Sequence, residues 1–92
     1  MFDPHNHRAS DRIRVDLIEA DVDMAFGLVD DALEEFRDGN VAYAQAALND
    51  AEKVLTDIEA RLGNLDPASS APFGPLVDEL RKTIRAAESE CA

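Results

Sequence analysis

Phe36-Arg37-Asp38-Gly39-Asn40-Val41-Ala42-Tyr43-Ala44 is the stretch that decides the fold. Upstream of it lies a long run with helical spacing of apolar residues, and downstream lies another. Gly39 suits the left-handed position that closes a helix, and Asn40 belongs to the residue types that cap the start of the next one. A link of so few residues between two long helices forces them into an antiparallel hairpin.

Downstream, the second helix spans about 41–62. At 100° per residue, Ala44, Ala47, Leu48, Ala51, Val54, Leu55, Ile58 and Leu62 fall on one face, with Gln45, Asn49, Glu52, Thr56 and Glu59 opposite. Gly63-Asn64 repeats the stop signal. The stretch from Leu65 to Pro75 contains three of the four prolines and reads as the one real loop. A third helix, about 72–88, places Phe73, Leu76, Val77, Leu80, Ile84 and Ala87 at spacings of three and four. Upstream, Ser10 is the expected N-cap of a first helix running to about residue 38. The expected fold is therefore all-α, a three-helix antiparallel bundle in one domain over 10–90, after a flexible N-terminal segment 1–9.

Composition agrees. The chain has 92 residues, and 15 of its apolar side chains are Ala, the best helix former and a small one that lets helices approach closely. A chain of this length buries only about 60–65% of its unfolded surface, so its core is thin and a second chain is a natural supplement. No apolar run approaches the ~20 residues that span a bilayer, and the first residues hold no apolar stretch of the secretory type. The sole cysteine, Cys91, sits at the fraying end and is expected to stay a free thiol in a reducing compartment. A cytoplasmic protein is the expectation.

The second helix carries a local resemblance. Gly39, Ala44, Leu48 and Ala51, at successive spacings of five, four and three, resemble the second-helix pattern of a tetratricopeptide repeat, with Leu28 and Ala32 at compatible places in the first helix. Asp31 and Glu35 stand where that family has an apolar and an aromatic residue, and Thr56 where it has a terminating proline. The match covers about residues 28–56 in a single copy, and it implies similar helix packing rather than that family's mode of peptide binding.

Helix 1 is the informative element because its apolar residues cover more than half its circumference. One edge carries Ile13, Leu17, Met24 and Leu28; the other carries Ile18, Val22, Phe26, Val29, Leu33 and Phe36. A helix packed against two others accounts for part of that width. The sharper expectation is that Val22, Phe26, Val29 and Leu33 continue into an interface with a second copy, giving a homodimer or other homo-oligomer. Helix 1 extends ~40 Å, and the third helix is too short to cover all of it.

Charge concentrates on the same helix. The net charge is −11, and residues 1–39 hold 11 acids against 4 bases. Asp16, Glu19, Asp23, Asp30 and Glu34 share one face. Such a stripe is a solvated surface, a docking strip for a basic protein partner, or a mimic of nucleic-acid charge. Nucleic acids and anionic membranes themselves are excluded as partners, because phosphates would be repelled. Asp21 departs from the pattern by sitting among Leu17, Ala25 and Leu28. A structural ion pair is expected there, with Arg14 on the same side or with Arg81 or Arg85 of the third helix; a catalytic carboxylate and a helix irregularity at Gly27 are the alternatives. Gly27 itself serves either close helix contact or a kink, or is a tolerated surface glycine.

Catalytic and metal chemistry find no support. Asp3, His5 and His7 supply too few ligands for a zinc site without structural support, and Asp21-Val22-Asp23 continues into a helix rather than a calcium loop. No cofactor motif or nucleophile–base pairing occurs. The expected role is a non-catalytic interaction or assembly module, with an acidic regulator of a basic protein as the alternative.

Overall fold

The computed structural model describes residues 4–92, with side chains from Arg12 onward. Three long helices, α1 (Pro4–Arg37), α2 (Val41–Leu62) and α4 (Gly74–Glu90), make an all-α bundle; a short α3 (Pro67–Ser70) and a 3₁₀ turn (Ala71–Phe73) join the last two. Among the described residues there is no strand. Helix α1 starts at Pro4, which suits the first turn because its missing N–H would go unbonded there. Ser10 therefore lies inside the helix rather than at its cap, and 4–9 belong to α1. Residues 1–3 of the expected flexible segment lie outside the described residues.

The α1–α2 corner forms as the glycine implies. Gly39 has φ +90°, its N–H donates to the Phe36 carbonyl at 3.1 Å, and the Asn40 N–H reaches the Glu35 carbonyl at 2.8 Å. These two bonds make a Schellman closure, which satisfies carbonyls that the helix end leaves open. Asn40 occupies the cap position of α2, but its side chain makes no cap hydrogen bond. Its Nδ2 instead donates to Glu35 Oε2 at 2.6 Å, tying the corner back to α1.

The second connection is more ordered than the expected loop. Gly63 stays in the right-handed region, and the chain leaves the helical path only at Asp66, where ψ is 157°. The residue before a proline is driven to extended backbone, and Pro67 then starts α3. Asp66 Oδ1 accepts from the Ser69 N–H at 2.9 Å and caps that turn. A proline-rich stretch thus becomes two helical turns, since each proline sits where its ring does no harm.

Ile18, Val29, Ile58, Leu80 and Ile84 form the deepest part of the core. Ala25 and Ala32 of α1 and Ala44 and Ala51 of α2 are fully buried, so the hairpin closes on small side chains. Helix α4 lies antiparallel to α2, as Arg81 Nη2 to Glu59 Oε1 (3.2 Å) and Gln45 Nε2 to the Cys91 carbonyl (3.5 Å) show. It therefore runs parallel to α1. Cys91 is a free thiol, but it is buried rather than frayed, because α4 continues to Glu90 and tucks its cap against α2. The molecule measures 57 × 18 × 14 Å, with a radius of gyration of 15.7 Å against the ~12 Å of a compact chain this long. The excess comes from α1, about 51 Å long from its residue count, which outruns α2.

Candidate functional site

Helix α1 has three sides with different fates. One packs on α2 through Ile18, Ala25 and Ala32, and a second is covered by α4. The second side holds the residues expected to form an oligomer interface. Val22 and Val29 are buried in the chain's own core, while Phe26 and Leu33 are half-buried and packed against it. Val22 and Val29 are thus not free for a second copy: both are buried in the chain's own core, and Val22 and Phe26 lie beside Phe73 and Leu76 at the entry to α4.

The third side is open. Ile13 is 60% exposed, Leu17 49% and Met24 53%, and at 100° per residue they lie within about 40° of one another. Ala20 and Gly27, both exposed, fill the intervening places on the same line. Nothing lies within 4 Å of where a side chain on Gly27 would point, which makes it a surface glycine rather than a helix contact. The spacing 13, 17, 20, 24, 27 alternates four and three, the period of a helix-pairing seam. That alternation was the signal available in the sequence. It was hidden because the other edge is richer in large apolar residues.

Asp21 lies at the border of this open side. Its carboxylate is paired with Arg61 Nη1 of α2 at 2.5 Å, and its side chain keeps 18% of its exposure. The partner is therefore neither Arg14 nor a cation of α4. Arg14 lies seven residues away, ~10 Å along the helix, whereas the end of the antiparallel α2 brings Arg61 directly alongside. Arg81 pairs instead with Glu59 at 3.2 Å and Asp78 at 3.1 Å. Arg14 lines a shallow hollow with Leu17, Arg61 and Asn64.

The acidic stripe is solvent-facing: Asp16, Glu19, Asp23, Asp30 and Glu34 are all exposed. Glu19 and Asp23 also border a groove of about 400 Å³ between α1 and the start of α4, lined by Val22, Phe26, Pro72, Phe73 and Leu76. The His5 and His7 side chains lie outside the described residues. Among the described residues no three His, Cys, Asp or Glu side chains gather as a metal site would require, and no helix is long and apolar enough to cross a membrane. No protein-family model matches this chain, and comparison with curated proteins and with solved structures returns no match either.

Proposed function

We propose that this chain is a small non-catalytic assembly module that self-associates through the open edge of α1. The observation that carries the reading is the line Ile13–Leu17–Met24, three large apolar side chains about half exposed or more on one side of a helix whose other apolar edge already serves the core. Covering apolar surface is favourable by roughly 25 cal/mol per Å². A second copy presents the same apolar line, and two-fold pairing of that line closes on itself.

Charge selects the orientation. Arg12 and Arg14 flank the N-terminal end of the line, and Asp30 and Asp31 stand at its C-terminal end, all exposed. An antiparallel pair brings Arg12 and Arg14 to the partner's Asp30 and Asp31, whereas a parallel pair sets the two acidic ends together. The tetratricopeptide-like hairpin is, on this reading, a packing geometry, since one copy has no stacked neighbour to form a peptide-binding surface. A single unpaired cysteine suits a cytoplasmic setting.

Sedimentation or light scattering over a range of concentrations and two salt levels tests the proposal. The mass is expected to rise toward twice the 10.1 kDa of one chain and to persist at high salt, because apolar contact dominates the seam. Leu17→Glu with Met24→Glu should hold the protein monomeric with its helical circular dichroism intact. A monomer at every concentration refutes the reading.

A further inference from the structure

The groove between α1 and the start of α4 is a separate surface, and its chemistry specifies a partner. Its floor is apolar: Val22 and Phe73 are buried, Phe26 is half-buried, and Leu76 keeps 45% of its exposure. The groove exists because the chain enters α4 through the 3₁₀ turn Ala71–Phe73 and Pro75. That entry brings Phe73 down onto the core and leaves Leu76 standing on the rim. The α1 wall is acidic, with Glu19 and Asp23 one turn apart and Asp16 a turn below. Between Arg14 and Arg37 the helix carries no base at all.

We propose that this groove takes a basic amphipathic segment of another protein. A large apolar anchor of that segment seats against Phe26, Phe73 and Leu76, and Lys or Arg side chains three or four residues away meet Glu19 and Asp23. At about 400 Å³ the space suits one or two large side chains. A second copy of this chain is the poorer occupant because it brings a further net charge of −11 to an acidic wall. Phosphate-bearing surfaces are repelled for the same reason. The proposal does not rest on self-association, which uses the other side of α1.

The test is a nuclear magnetic resonance titration of the full chain with three synthetic helical peptides. One has Leu at spacings of three and four with Lys elsewhere, one replaces its Leu by Ser, and one replaces its Lys by Glu. The Leu–Lys peptide is expected to bind, with shift changes centred on Glu19, Asp23, Phe26, Phe73 and Leu76, and to weaken steeply as salt is added. The other two peptides should bind at least about tenfold more weakly, as should the Leu–Lys peptide to Glu19→Gln/Asp23→Asn and to Leu76→Ser. Circular dichroism confirms that both variants fold, and the double variant alters only exposed side chains. Equal binding of the Leu-to-Ser peptide overturns the proposal, because it reduces the contact to diffuse charge. Shift changes centred on Ile13, Leu17 and Met24, or on Asp30 to Glu35, overturn it as well. So does undiminished affinity in the double variant.

Discussion

Glu88 sits on α4 opposite Glu52 of α2, and burial together with that neighbouring carboxyl and a hydrogen bond to it raise its pKa, while Arg85 opposes the shift. A carboxyl whose pKa rises on folding holds its proton more tightly in the native state than in the unfolded chain. Its contribution favours folding below the unfolded pKa and is lost as pH rises through the folded one. At neutral pH the two carboxylates therefore repel across the α2–α4 contact. Glu88→Gln is expected to raise the melting temperature at pH 7 and to give no gain at a pH below the ordinary carboxylate range; an equal gain at both would show that the effect is not the repulsion. Neither the clash nor its partner was legible in the sequence, since residues 52 and 88 meet only once α4 lies antiparallel on α2. The same holds for Asp21. Its odd place among apolar residues was visible, but Arg61 was not the cation that helical spacing pointed to.

Helix by helix, the glycines divide according to backbone rather than position. Gly39 closes α1 in a conformation that L side chains rarely adopt. Gly27 lies mid-helix with open space beside it and no such requirement. Gly27→Ala is thus expected to stabilise the fold by about 0.5–1 kcal/mol, the difference in helix propensity, measured by denaturant unfolding. A loss here, with a gain in the monomeric Leu17→Glu/Met24→Glu background, would place residue 27 at a close approach within the proposed seam. The Leu65–Pro75 stretch shows the limit of reading by composition. Prolines mark a break, yet Asp66 as a cap and Pro67 in a first turn rebuild helix at once, and that depends on register that composition does not carry.

Across the whole molecule, the hairpin closes on alanines, and the elongated shape follows from a first helix longer than its partners. Ala25→Leu places a large side chain where α1 is fully buried. It should cost about 1–3 kcal/mol in unfolding free energy, because the helices must separate to accept it; an unchanged midpoint would show a looser interface than the full burial of Ala25 implies. The boundaries of α2 and the corner at Gly39 followed from sequence, because local backbone preference and a 3.6-residue period are written directly in neighbouring residues. The side of α1 left open did not follow. Both of its apolar edges met the same periodic criterion, and only the packing of the other helices buried Val22 and Val29 and made one of them core. The edge at Ile13, Leu17 and Met24 stayed about half exposed because the end of α2 reaches it only at the hollow beside Leu17. That assignment is a property of tertiary placement, in which two apolar edges of one helix face a single short helix that can cover only one of them.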